Sequence, residues 1–388
     1  MNLWELEFRP APKTITYLRA FTAAGAACLL AGAFLSPQRA WAGLLMASFA
    51  LTALGLGATF FVALQYASGA SWAVALRRIP EAMSAVLPFG AAGLLAVLLF
   101  RPSIYAWTSH SAHGLTGFKA LWLDRPFFLA RAVVYLALWL LFTYWLAGHS
   151  RRQDADGDLE HTRRNIRLSV IFLPVFALTF WLASVDWIMS LEPEWYSTIF
   201  GVYNFAGMFS AALAAIILLA IWLRRSGPLR DFINLEHLHD LGKLQFAFCT
   251  FWMYIWFSQY MLIWYANITE ESVYYVLRLR GYWTPLFLLN MVLNWAVPFL
   301  ALLPKFTKRT PSRLGKVAVF VLVGRCLDLY LMILPPVTGG AMTLPLLEIG
   351  ILAGAAGLFL LVFLRALRQA PQVPVQDPYL AESLHYHN

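Results

Sequence analysis

An arginine and an aspartate stand three residues apart in the apolar stretch Gly324-Arg325-Cys326-Leu327-Asp328-Leu329-Tyr330. Arg325 lies nine residues beyond Lys316, about 13 Å of helix at 1.5 Å per residue, so the pair sits near the middle of an apolar run. Positions i and i+3 share one helix face. A charge at mid-bilayer costs about 3 kcal/mol or more, so it must be paired or used. Two readings follow: an ion pair that locks helices together, or a step in a proton or substrate path.

A second concentration of ionisable groups is Asp186-Trp187-Ile188-Met189-Ser190-Leu191-Glu192-Pro193-Glu194-Trp195-Tyr196. Carboxylates flanked by Trp and Tyr suit a proton exit, a quinol-facing pocket built on Asp186 and Trp187, or a docking surface; solvated loop acids are the plainer reading. A third is His237-Leu238-His239-Asp240-Leu241-Gly242-Lys243, which opens an apolar run carrying Tyr254, Ser258, Gln259, Tyr260 and Tyr265. That series could order a water chain with His239, Asp240 and Lys243 at its entrance, or simply hydrogen-bond one helix to another. Arg131 and Glu348 fall near the ends of apolar runs, where long side chains snorkel to the interface.

Membrane haem needs axial ligands, usually His, projecting into a bundle core. All eight histidines (110, 113, 149, 161, 237, 239, 385 and 387) fall in loops, at the ends of apolar runs or in the tail. There is no phosphate-binding glycine loop and no HExxH zinc helix. Cys28, Cys249 and Cys326 lie in three separate runs with no CxxC pair, so each reads as a small buried hydrophobe. The chain is therefore expected to bind no redox cofactor and no metal of its own.

The elements that must position these residues are membrane helices. Of 388 residues, 60% are hydrophobic and only 13% charged, far below the roughly 25% of a soluble protein. A span needs roughly 20 apolar residues, and ten runs qualify, near 15–35, 41–67, 81–100, 126–147, 166–188, 200–223, 244–266, 283–303, 314–334 and 342–364. The first is too long for a signal peptide. Of the 29 Lys and Arg, Arg39, Arg101, Lys119, Arg125, Arg278 and Arg280 fall on one side of such a fold; Arg131 and Arg325 fall inside runs; the other 21 share the opposite side. That asymmetry predicts cytoplasmic N- and C-termini. It also explains the net charge of +9 as loop charge, with no nucleic-acid partner implied. The expected organisation is one polytopic domain over 1–368, a short interfacial helix within 101–125, and an extended, proline-bearing tail over 369–388 that could lie along a neighbouring subunit.

Asp186–Gly201, His239–Asn267 and Gly324–Tyr330 together resemble a polysulfide-reductase-like membrane subunit of alternative complex III, a bacterial quinol:electron-acceptor oxidoreductase. The likeness is to the subunit that is the pseudo-symmetric companion of the quinol-oxidising one, and it runs over about residues 15–366. Ile268-Thr269-Glu270-Glu271 departs from the Pro-Glu-Glu expected there, within a loop. The resemblance implies a membrane fold of two four-helix bundles plus two peripheral helices. It places the protein in the bacterial inner membrane, among lipids and beside a homologous quinol-binding subunit. Iron–sulfur clusters and c-type haems belong to partner subunits, and quinol is the substrate of the whole complex. It also implies a proton path through Asp186, Glu192, His239, Asp240, Lys243, Arg325 and Asp328, to which the hydroxyl and amide series of the seventh run adds Tyr254 and Gln259. A secondary transporter and a purely structural scaffold are the competing readings, and a second quinone pocket at Asp186 and Trp187 is a third use of the same residues.

Overall fold

The computed structural model describes residues 8, 10–108, 116–227, 229–341 and 344–387; the His110 and His113 of the sequence analysis fall outside them. Among the described residues, ten helices are long and apolar enough to cross a membrane. They are α1 (Pro12–Leu35), α2 (Pro37–Ser68), α3 (Arg78–Phe100), α4 (Arg125–Asp156), α5 (Glu160–Leu191), α6 (Phe200–Arg225), α7 (Leu235–Ala266), α8 (Trp283–Leu302), α9 (Pro311–Val337) and α10 (Leu346–Leu367). All ten expected runs are present, and the protein is an all-α integral membrane protein.

Helices α2 to α5 pack into one four-helix bundle and α6 to α9 into another. The two join where α2 meets α6, and both are almost wholly buried. α1 and α10 pair beside α2 as a peripheral unit. Gly25 and Gly354 carry that crossing: a Cβ on Gly25 would lie 2.4 Å from the Gly354 Cα, so only glycine lets the two backbones approach.

Several helices outrun their hydrophobic cores. α4 continues to Asp156 and α5 starts at Glu160, so the stretch 148–165 between the fourth and fifth expected runs is mostly helix. The turn is made at Gly157, whose φ of 69° suits glycine. α8 is interrupted: regular helix over Trp283–Met291 gives way to a π turn at Val292–Ala296 before Val297–Leu302. Such bulges re-aim side chains and recur at functional sites. Short helices lie at the end away from the basic loops: Gly117–Trp122, the expected interfacial helix, and the amphipathic Thr269–Arg278.

The C-terminal tail departs from expectation. It is irregular to Asp377, then forms the short helix Leu380–Leu384 and folds against its own chain. Asp377 pairs with Arg77, Gln153 donates to the Gln376 carbonyl at 3.1 Å, and Ser383 Oγ donates to the Trp72 carbonyl at 2.8 Å. Tyr386 OH donates to Asp240 at 2.7 Å. Composition marked the prolines of the tail and not these anchors, so the tail straps the basic ends of both bundles.

Candidate functional site

The middle of the second bundle holds a closed ring of polar side chains. Arg325, at the fifteenth position of the 27-residue helix α9, donates Nε to Asn294 Oδ1 at 2.5 Å. Asn294 Nδ2 donates to Asn290 Oδ1 at 2.6 Å, and Asn290 Nδ2 to Asp328 Oδ1 at 2.7 Å. Asp328 Oδ2 returns to Arg325 Nη1 at 3.3 Å, and the Tyr203 hydroxyl also donates to Oδ1. The direction follows from the ends, since a guanidinium only donates and a carboxylate only accepts. Arg325 and Asp328 are 6% and 3% exposed, so the pair is desolvated and each charge depends on the other.

The sequence builds this ring from four helices. Asn290 and Asn294 are i and i+4 on α8, the second inside the π turn. Gly324 makes room for them: a Cβ there would lie 2.7 Å from Asn294 Oδ1. On α6, a Cβ at Gly207 would lie 2.3 Å from Arg325 Nη1. The guanidinium also sits over the Trp252 ring of α7, 4.3 Å from its centroid, which adds cation–π attraction in a water-poor setting.

Polar groups continue from the ring towards the end away from the basic loops. A small cavity joins Asp328, Tyr203 and Asn290 to Gln259, Tyr275 and Arg278. Gln259 Nε2 donates to the Tyr275 hydroxyl at 2.9 Å, and Ser197 Oγ donates to Gln259 Oε1 at 2.9 Å. Arg278 then donates to Glu192 at 2.6 Å with its guanidinium stacked 3.4 Å from the Tyr274 centroid. On the basic side, Gln245 Nε2 donates to Ser210 Oγ at 2.8 Å and to Cys249 Sγ at 3.2 Å. One to two turns further, Lys243 Nζ lies 2.5 Å from Asp240, and His239 Nδ1 lies 3.8 Å from the same carboxylate. Gln245 Oε1 and Arg325 Nη2 are buried with no partner among the described residues.

Of the residues singled out in the sequence, Glu192, His239, Asp240, Lys243, Gln259, Arg325 and Asp328 thus lie along one bundle at successive depths. Tyr254 does not: it is 64% exposed on the outer surface of α7, as is Tyr265 at 83%. The hydroxyl series therefore splits, because residues spaced along 32 helical positions cannot all face inward.

Asp186 belongs to the other bundle. Arg131 grips it with Nε and Nη2, both at 3.0 Å, while Trp122 Nε1 donates at 2.8 Å and Tyr135 OH at 3.3 Å. Arg131 does not snorkel; it is the charge partner of Asp186. Glu348 likewise pairs with Arg39 at 2.8 Å and is buried. Asp186 lines a cavity of about 520 Å³ walled by Trp122, Trp181, Trp195 and Tyr196. Its carboxylate already accepts four hydrogen bonds, roughly its capacity, which leaves little for an incoming hydroxyl. Trp187 is fully buried, and its ring does not line that cavity.

Asn290, Asn294, Tyr203, Gln245 and Arg278 were missed by sequence reasoning. Two asparagines four apart in the apolar run Leu288-Leu289-Asn290-Met291-Val292-Leu293-Asn294-Trp295 were the available signal. Among the described residues no three His, Cys, Asp or Glu side chains converge as a metal centre requires.

The fold and site define a polytopic helical membrane protein with a charged polar file through one of two bundles. Comparison with known proteins adds no relative: no family model matches the chain, and no curated protein matches it significantly.

Proposed function

We propose that this chain is a membrane subunit of a bacterial quinol:electron-acceptor oxidoreductase of the alternative complex III kind, in the position of the companion to the quinol-oxidising membrane subunit. In this reading the basic end faces the cytoplasm, the chain holds no redox centre, and it scaffolds that homologous quinol-oxidising neighbour. Its second bundle carries protons across the inner membrane. The observation that carries the reading is the polar file of α6 to α9, with the Arg325–Asp328 pair at mid-depth. The three stretches on which the resemblance rests meet along it: Glu192 and Ser197 from the first, Gln259 and Trp252 from the second, Arg325 and Asp328 from the third.

The file has the parts a relay needs. Asp240 and Lys243 form the entrance, Ser210 and Gln245 supply neutral hydrogen-bonding groups, and Asp328 is the mid-membrane proton acceptor. Gln259, Tyr275 and the Arg278–Glu192 pair lead out. A carboxylate beside a fixed guanidinium stays ionised, so Asp328 takes a proton only when its contact with Arg325 loosens. The amides of Asn290 and Asn294 offer Arg325 an alternative partner during that step. A scaffold needs none of this switching. The test is Asp328→Asn, nearly isosteric, in the assembled complex with haems intact. Quinol oxidation should persist while protons released per electron in proteoliposomes fall. Unchanged stoichiometry at normal turnover would reduce the ring to helix glue and favour the scaffold.

A further inference from the structure

The basic end carries a second feature, independent of the polar file and of the function proposed above. A cleft of about 480 Å³ opens between the start of α3 and the second half of α10. Its walls are Ala85, Phe89, Leu358, Leu361 and Val362, and its mouth is formed by Arg365 and Gln369. Phe89 is 48% exposed, so the cleft is open to the hydrocarbon along its side. Arg365 and Arg368 are exposed, three residues apart on one face, and neither has a hydrogen-bond or ion-pair partner among the described residues. Arg151 reaches across from α4 and donates to Gln369 Oε1 at 3.0 Å, which holds a third guanidinium beside the mouth.

Some arginines at the same end are neutralised by carboxylates. Arg77 is neutralised by Asp377, Arg78 by Glu81 and Asp154, and Arg309 by Glu236. No described carboxylate answers Arg151, Arg365 or Arg368. An apolar cleft with the Arg365 guanidinium at its mouth, and Arg368 and Arg151 close by, matches one class of ligand. We propose that the cleft is a binding site for an anionic glycerophospholipid of the leaflet at the basic end. One acyl chain lies between Phe89 and Leu361, and the phosphate accepts from Arg365 and Arg368. Basic pockets between membrane helices recognise such headgroups by this geometry.

The full chain in phosphatidylcholine nanodiscs containing a small fraction of phosphatidylglycerol provides the test. Native mass spectrometry after release from the disc should recover phosphatidylglycerol bound in preference to phosphatidylcholine. Each basic residue near an anionic surface contributes about fivefold, so R365Q/R368Q should cut retention by roughly twenty-five-fold. Leu361→Trp, which fills the trough and keeps both arginines, should also abolish it. Soluble glycerophosphate should not compete, because the acyl chain supplies the rest of the affinity. Equal retention of phosphatidylcholine, or no loss in R365Q/R368Q, would overturn the proposal and mark the cleft as a non-selective lipid groove or a seat for a protein partner. Unchanged melting of both variants without added lipid checks that the fold is intact.

Discussion

The two four-helix bundles solve the same packing problem with opposite chemistry. In the first, charge is confined to the ends: Arg131 and Asp186 at one, Arg78, Glu81 and Asp154 at the other. Between them the core is aromatic, with Phe172, Phe176 and Phe180 in series along α5 and Trp139 against Trp187. Among the described residues the polar groups that interrupt it are neutral, such as Trp139 Nε1 on Thr179 at 2.9 Å and Thr59 beside Thr143 at 2.9 Å. The second bundle places an ion pair and two amides at the same depth. An aromatic core stabilises by burial and tolerates no water. A buried ion pair offers little net stability against a hydrophobic replacement, and among the described residues only the second bundle holds one at mid-depth.

The largest effect is expected where one charge loses its partner. Arg325→Ala leaves the Asp328 carboxylate buried without its charge partner, and breaking such a pair costs about 3–5 kcal/mol. Arg325→Leu combined with Asp328→Leu should recover most of that loss. Thermal unfolding in detergent, followed by a thiol-reactive dye, reads this directly because Cys249 is buried. A double variant as unstable as Arg325→Ala would mean that the ring is structural and that the contrast between bundles is one of packing alone.

Next in size is the matching change in the first bundle. Asp186→Asn removes the charge that Arg131 grips, and hydrogen bonds to charged groups are worth about 1.5–3 kcal/mol each. Stability should therefore fall by about 2 kcal/mol, while proton release per electron in the assembled complex stays at the wild-type value. If Asp186→Asn lowers the proton yield as Asp328→Asn is expected to, the first bundle carries protons too and the contrast between the bundles is lost. A smaller effect is expected for Gly207→Ala. Its methyl must push the Arg325 guanidinium away from a position 2.3 Å distant, an overpacking cost of about 1–3 kcal/mol. Gly201→Ala meets the Trp181 side chain, 2.1 Å away, and should cost about as much without altering proton release.

The bundles were unequally legible in the sequence. The ten spans are long apolar runs, and length alone finds them, because a bilayer imposes a minimum that few other structures meet. Arg325 and Asp328 were equally plain, as charges in hydrocarbon have no trivial explanation. Arg131 and Glu348 were misread as snorkelling because their partners, Asp186 and Arg39, lie 55 and 309 residues away, beyond any local pattern. Tyr254 was wrongly grouped with Gln259 because spacing along a helix does not reveal which face a neighbour will cover. Asn290 and Asn294 were overlooked for a different reason: neutral amides do not stand out from an apolar run, yet here they complete the ring. The tail could not be placed, since proline spacing reports stiffness and not the acids and hydroxyls that anchor it.

The anchor at Asp240 allows the smallest and most selective prediction, since it touches the second bundle alone. Tyr386 donates its hydroxyl to Asp240, and that bond, with partial burial, holds the phenol pKa up to about 12 from an ordinary value of 10. A group whose pKa is raised on folding contributes stability below its unfolded value and loses it as the pH climbs through the folded one. The tail should therefore stay docked up to about pH 10 and be released between about pH 10 and 12. Tyr386→Phe removes both the bond and the titration, so its tail should be looser at neutral pH and show less further release over that window. The Arg77–Asp377 and Ser383–Trp72 contacts remain in the variant and keep the rest of the strap in place. Hydrogen exchange of peptides covering 380–387, compared between the two proteins at about pH 8 and about pH 11, measures the difference. Parallel pH profiles would mean that the phenol is not what latches the tail over Asp240, and that the mouth of the file is covered by the other anchors alone.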